Sequence, residues 1–217
     1  MAKCCTCDDC LTVPSNIRTP LNAGLLMLLA VILVGFAVAF GWGHEVDRNL
    51  LKAMAMREGA DPAALIEAVR WITWAGDAAP RSFLLIGFAG WLAYRKRLRS
   101  ALVMLVLPPV AGVSNSILKE AFARARPDVV PHLDHVVDLS FPSGHAANAM
   151  AIFLTAALLI ASKRRPLWIA VALSAAILVA LSRPLLGVHY PIDVLAGAVW
   201  GAGFALIALA YARRLEG

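Results

Sequence analysis

Charge is scarce in this sequence. Of 217 residues, 16% are Asp, Glu, Lys or Arg and 60% are hydrophobic, which is too apolar for a soluble domain hiding one core. Cysteine is absent after position 10, so no second cysteine cluster exists to complete a structural metal site. No internal repeat, low-complexity linker or compositional break marks a second domain. The first apolar run lacks a small-residue cleavage site after a short apolar core, so it reads as a retained helix and not a signal peptide. The basic residues are not interleaved with aromatics, so the formal net charge of +6 does not point to nucleic acid.

What is present is apolar sequence in long runs. A helix crosses a hydrocarbon layer of roughly 30 Å in about 20 residues. Six runs approach that length: Leu21 to Phe40, Pro80 to Tyr94, Ala101 to about Ala121, Gly144 to Ala161, Leu167 to Leu181 and Pro191 to Ala212, the second and fifth being short. The expected fold is all-α, a polytopic membrane protein built on a six-transmembrane-helix bundle. A tail over residues 1–20 precedes one membrane domain over 21–217. The tail holds Cys4, Cys5, Cys7 and Cys10 beside Asp8 and Asp9. A tail without function, a palmitoylated one and a soft-metal site all fit that spacing, and a cytoplasmic location argues against disulfides.

Short basic loops resist translocation, so Lys and Arg report orientation. Arg95, Lys96, Arg97 and Arg99 follow the second run, Lys163 to Arg165 the fourth, and Arg213 and Arg214 the sixth. Together with the N-terminal tail, that side carries 11 basic and 3 acidic residues, and the opposite side 9 basic and 11 acidic. Both termini are therefore expected in the cytoplasm. Segments 43–77, 124–142 and 182–190 are expected outside. Compact loops and an Ala-rich composition suggest a bacterial cytoplasmic (inner) membrane, with the exterior being the periplasm.

The external segment 43–77 holds two amphipathic stretches, Glu45 to Arg57 and Asp61 to about Trp74. Asp61 reads as an N-cap with Pro62 at the first helical position, and Leu65, Ile66, Val69 and Ile72 share a face. The second stretch should lie on the membrane, either covering the bundle or gating lipid entry. Pro108-Pro109 should kink or divide the third span, and Ser114, Asn115 and Ser116 beyond it should face the bundle.

Three segments concentrate the chemistry, and the topology brings all three to the external surface. The first is Lys119-x6-Arg126-Pro127. If the helix persists to Pro127, Lys119 and Arg126 lie two turns apart on one face and together call for an anion. Arg124 falls on another face and is left a supporting or headgroup role. The second is Pro142-Ser143-Gly144-His145, where free N–H groups and the helix dipole make an anion cradle and glycine allows close approach. The third is Ser182-Arg183-x5-His189-x3-Asp193. Asp193 can accept from one ring nitrogen of His189 and leave the other as an outward lone pair, a nucleophile with its orienter. The set reads as phosphate-binding Lys119, Arg126, Ser143, Gly144 and Arg183 around catalytic His189, His145 and Asp193. In this reading His189 attacks phosphorus, and His145 protonates the leaving oxygen and then deprotonates water. No cofactor is expected. Asp134, Asp138, His132 and His135 resemble metal ligands, but their loop reads as mobile and solvated.

These segments resemble the signature of the type 2 phosphatidic acid phosphatase superfamily: Lys-x6-Arg-Pro, Pro-Ser-Gly-His and Ser-Arg-x5-His-x3-Asp. Every motif position is present, and the resemblance spans roughly residues 78–212. It implies a six-helix bundle, a phosphohistidine intermediate at His189 and a lipid phosphate or diphosphate substrate. Undecaprenyl diphosphate, phosphatidylglycerol phosphate, phosphatidate and lipid A phosphates all fit. The implied partners are that lipid and the bilayer, with no obligate protein partner evident. A lipid-dependent phosphotransferase, in which an acceptor alcohol replaces water, is the alternative enzyme. A non-enzymatic anion transporter would need neither histidine, and related soluble haloperoxidases lack the spans.

Overall fold

Lipid offers backbone amides no hydrogen-bond partner, so apolar runs of this length must pair their N–H and C=O groups internally as helices. The computed structural model describes residues 15–160 and 162–216. The cysteine-bearing part of the tail lies outside the described residues. Eight helices and no strand occur among those described. They are α1 (Ser15–Ala39), α2 (His44–Met54), α3 (Ala63–Trp74), α4 (Ala78–Tyr94), α5 (Leu98–Phe122), α6 (Gly144–Leu159), α7 (Arg165–Leu185) and α8 (Pro191–Glu216).

Four helices are long and apolar enough to cross a membrane: α1 over Ile17–Ala39, α5, α7, and α8 over Pro191–Leu215. α4 and α6 are apolar but shorter, at 17 and 16 residues. α1 begins before the expected Leu21 and carries Pro20 within it. α5 runs unbroken through Pro108 and Pro109, so of the kink or division expected there the division does not occur.

Burial ranks the helices. In its most apolar window α8 is 61% buried and α1 only 17%, which makes α8 the hub and α1 an outer helix with a broad lipid-facing side. α6 is rich in alanine and buried along most of its length, and it packs on α8 and α7. The α6–α8 crossing depends on glycine. A Cβ on Gly201 would lie 2.2 Å from the Ala147 carbonyl oxygen, and one on Gly197 2.3 Å from that of Ser143. Small residues at this spacing let two membrane helices touch backbone to backbone. α1 and α5 flank α8, and α4 leans on α5.

α2 and α3 coincide with the two amphipathic stretches. α3 packs on α7 through buried Ile66, Val69 and Thr73, whereas Leu65 is 51% exposed and leaves the stripe expected of it. The capping differs too. Pro62 is the N-cap, and Asp61 instead accepts the Arg57 backbone N–H at 2.7 Å. Exposed Trp71 and Trp74 line the outer side. Of the polar trio on α5, Asn115 is buried and Ser114 Oγ accepts from Trp200 Nε1 at 3.3 Å. Ser116 turns outward and returns its hydroxyl to the Gly112 carbonyl at 3.3 Å, so it needs no bundle partner.

The basic residues that follow α4 and α6 meet at one end of the bundle, beside the C-terminal end of α8. Arg97 donates to the Leu159 carbonyl at the end of α6, Arg99 to Leu215 in α8, and Arg165 to Ile160 at 3.1 Å. These cations satisfy carbonyls that helix C-termini leave free.

Candidate active site

The C-terminal ends of α5 and α7 and the N-terminal ends of α6 and α8 meet at the end of the molecule away from those basic loops. Every sequence-derived site residue lies at one of these termini or in the adjoining loops. The Ser143 N–H donates to the Asp193 backbone oxygen at 2.9 Å and ties the starts of α6 and α8 together.

His189 is 1% exposed in the short link between α7 and α8. Its Nε2 lies 3.1 Å from Arg126 NH1. A guanidinium can only donate, so Nε2 is the acceptor and carries the lone pair, and the ring proton sits on Nδ1. Nδ1 is 3.3 Å from Ser140 Oγ, which donates to Asp193 Oδ2 at 2.5 Å. The direct separation of His189 Nδ1 from Asp193 Oδ2 is 3.7 Å, too long for a hydrogen bond. The expected His–Asp bond is therefore corrected to a relay through Ser140. Burial first, then Arg126, Arg183, Lys119 and His145, push the His189 pKa well below its ordinary value. The ring is thus kept neutral and nucleophilic near neutral pH.

Asp193 is fully buried and held from three directions: by Ser140, by the Tyr190 N–H at 3.0 Å and by Arg124. Arg124 also binds Asp47 of α2 at 2.8 Å and stacks 4.2 Å from the Tyr190 ring centroid. Asp47 in turn accepts the Ile192 N–H at 3.0 Å. Of the supporting or headgroup role expected of Arg124, these contacts match the supporting one. Arg124 is the charge that neutralises the orienting carboxylate from behind. The cause is local: α5 stops at Phe122, and Ala123 adopts a left-handed conformation (φ 47°), so the chain reverses before Pro127. For the same reason Lys119 and Arg126 do not share a helix face. They converge through the loop instead.

That loop is anchored, against the expectation of a mobile, solvated segment. Asp138 pairs with Lys119 at 2.8 Å and with Arg126 NH2, and its backbone oxygen accepts from Arg126 Nε at 2.7 Å. Asp134 pairs with Arg183 NH1 at 2.7 Å. Leu133 N–H donates to the Leu186 oxygen at 2.9 Å, and Val130 and Leu133 are buried. Burial opposes ionisation of Asp138, but Lys119 and then Arg126 hold its carboxyl down at about 2. Both carboxylates serve the site cations, and His132 Nε2 lies 2.7 Å from the Pro127 oxygen.

Ser143 caps α6 by position but makes no side-chain cap bond. Among the described residues its buried Oγ, Arg183 Nε and Asn115 Nδ2 have no hydrogen-bond partner. Buried donors left unpaired cost about 1–3 kcal/mol each, so an anion received here is stabilised by donors already stripped of water. A Cβ on Gly144 would stand 3.8 Å from Lys119 Cε, so glycine keeps the space beside that ammonium open. His145 Nε2 lies 2.9 Å from Asp77 Oδ1. A cavity of about 510 Å³ opens from Lys119, Asp138, Gly144 and His145 along α4, α5 and α6, with Leu85, Ile86, Pro108, Pro109, Val113 and Ile152 on its apolar walls.

The structure thus brings Lys119, Arg126, Arg183, Ser143, Gly144, His189 and Asp193 around one locus, with His145 at its rim. Arg124, Ser140, Asp138, Asp134, Asp47, Asp77 and Thr73 were not assigned to it from sequence. Thr73 of α3 accepts from Arg183 NH1 at 2.6 Å. Of these, Asp47 and Thr73 carried a sequence signal as single polar residues on amphipathic helices, and the others lie in loops and turns with no such periodicity.

The sequence profile of the PAP2 superfamily matches residues 97–216. The chain is similar to "Phosphatidylglycerophosphatase B" of Bacillus subtilis (strain 168), at 40% identity over 144 residues, 61% of this chain and 68% of the relative. It is also similar to "Lipid A 1-phosphatase" of Rhizobium etli, at 32% identity, covering 70% of this chain and 74% of that one. The crystal structure of a transmembrane PAP2-type phosphatidylglycerolphosphate phosphatase from Bacillus subtilis superposes with TM-score 0.77 at 29% identity, over 89% of this chain and 96% of that one.

Proposed function

The chain belongs to the PAP2 superfamily and is an integral membrane phosphatase of that kind, and from that premise we propose that it hydrolyses a lipid phosphate or diphosphate through a phosphohistidine at His189, without a metal. The observation that carries the mechanism is the ring geometry of His189. Arg126 donates to Nε2, which fixes the lone pair on the nitrogen facing Arg126, and Lys119 and Arg183 also act on this ring. Those cations, Ser143 Oγ and the Gly144 N–H bind the equatorial oxygens, where charge is spread in the transition state. As the Nε2–phosphorus bond forms, the ester P–O bond breaks and His145 gives its proton to the departing oxygen. His145 then takes a proton from water. The water oxygen attacks phosphorus, the P–N bond breaks, and phosphate leaves with His189 restored.

The apolar walls of the cavity fit the greasy end of the substrate. Its polar residues recognise only phosphate, so phosphatidylglycerol phosphate, phosphatidate, lipid A phosphates and undecaprenyl diphosphate are the candidate class. In this reading α1, α4, α5, α6, α7 and α8 all cross the bilayer, α4 and α6 over about 25 Å. The basic ends lie in the cytoplasm with both termini, and the site opens outside a bacterial cytoplasmic membrane. Purified protein in detergent with EDTA should release phosphate from at least one of these lipids, and His189→Ala should abolish it. Release that survives the substitution, or an acceptor alcohol that is phosphorylated instead, would overturn the hydrolytic phosphohistidine reading.

A further inference from the structure

We propose that Asp77, in the turn between α3 and α4, is the positioning residue that orients His145 for proton transfer to and from the reacting oxygens. This rests on the phosphatase reading above and adds to it a residue upstream of the matched 97–216 region.

Three observations converge. Asp77 Oδ1 stands 2.9 Å from His145 Nε2. Asp77 also occupies the N-cap of α4, where a carboxylate ordinarily binds the free N–H groups of the first turn, yet it makes no side-chain cap bond. Its oxygen goes to the histidine instead. Finally, Gly76 brings the turn down onto the ring: a Cβ there would lie 2.8 Å from His145 Cδ2 and 2.7 Å from Val179 Cγ1. The turn is held by its own bonds, Gly76 N–H to Thr73 O at 2.8 Å and Asp77 N–H to Trp74 O at 2.9 Å, and Arg81 NH1 reaches the Gly76 carbonyl at 3.4 Å.

The chemistry follows from which nitrogen is engaged. With Nε2–H donating to Asp77, Nδ1 is the nitrogen left to exchange protons with the substrate. The Asp77 carboxylate, 2.9 Å from Nε2, stabilises the positive imidazole that donation to the leaving oxygen requires. When the ester bond breaks, the Nδ1 proton goes to the leaving alkoxide oxygen. The ring, then neutral, recovers a proton on Nδ1 from the water that attacks the phosphohistidine. Asp77 exchanges no proton in either step and acts through the ring alone.

The test compares leaving groups, because an alkoxide needs a proton to depart and p-nitrophenolate does not. Asp77→Asn should lower kcat/KM for dioctanoyl phosphatidate about 10- to 100-fold and that for p-nitrophenyl phosphate by less than about threefold. The ratio of the two does not depend on how much of the preparation is folded, and Asp77→Ser should shift it the same way. Asp77→Glu, which keeps the carboxylate, should restore most of it. Equal losses on both substrates, or no loss, would sink the proposal for Asp77 while leaving the nucleophile reading intact. If wild type cleaves neither substrate, or His189→Ala stays active, the phosphatase reading itself has failed.

Discussion

In the proposed mechanism His189 and His145 serve one reaction from differently built surroundings. His189 is 1% exposed, and Arg126, Ser140, Asp193 and Arg124 fix it through contacts that all originate within residues 97–216. His145 keeps 21% of its side chain exposed, and its carboxylate partner comes from residue 77, on a turn between a surface helix and an outer one. The proposed nucleophile is therefore pre-organised by the core, and its orientation is paid for once, on folding. The proposed acid is held by a peripheral turn, so on this reading a change in that turn retunes proton transfer without disturbing the attack.

The sharpest way to break this comparison is at the buried side. Asp193→Asn should leave the fold's apolar contacts in place but cost on the order of 10³-fold in kcat/KM, as loss of a ring orienter does. Ser140→Ala should cost only about tenfold, the worth of one good hydrogen bond. Steady-state kinetics on both variants decides whether the relay is real: equal losses would place the whole orienting effect in Ser140, and an unchanged Ser140→Ala would mean that the carboxylate reaches the ring directly.

Next in size is an acid sensitivity of stability. His189 titrates well below its ordinary 6.5 in the folded protein. Between those two pKa values the unfolded chain binds a proton that the folded chain does not, so stability rises with pH there and falls on acidification below 6.5. The slope from this one group is up to about 1.4 kcal/mol per pH unit. Thermal unfolding in detergent from about pH 7.5 to about 5 should show that slope in wild type and a flatter one in His189→Asn.

The smallest effect concerns the loop. An incoming phosphate must take Lys119 and Arg126 from Asp138. Asp138→Asn should lower KM about three- to tenfold with kcat nearly unchanged, a change of about 1 kcal/mol typical of a half-exposed charge pair. A raised KM would instead make Asp138 part of the productive site.

Much of the site was legible in the sequence because its residues sit at helix ends. Counting spans assigns each end to a side, so Lys119, Ser143, Arg183 and His189 had to share a surface once the helices alternated. The reversal at Ala123 was not legible. Nothing in Ala-Phe-Ala-Arg marks a non-glycine residue for a left-handed conformation, and a helix continued to Pro127 sends Arg124 outward. Ser140 and Asp77 were hidden for another reason. Each matters through a distance of 3.3 Å or less to a residue tens of positions away, and no local periodicity encodes that. The amphipathic stretches were visible as helices, but the docking of Asp47 onto Arg124 and of Thr73 onto Arg183 was not.

The glycine seam between α6 and α8 has a mechanical meaning. With backbones touching at Gly197 and Gly201, neither helix can slide or roll against the other without a collision of main-chain atoms. His145, Asp193 and, through the short link, His189 thus ride on a single chassis. Whatever moves during turnover must be mounted on its outside, and the parts mounted there are the α3–α4 turn that carries Asp77 and the loop that carries Asp138.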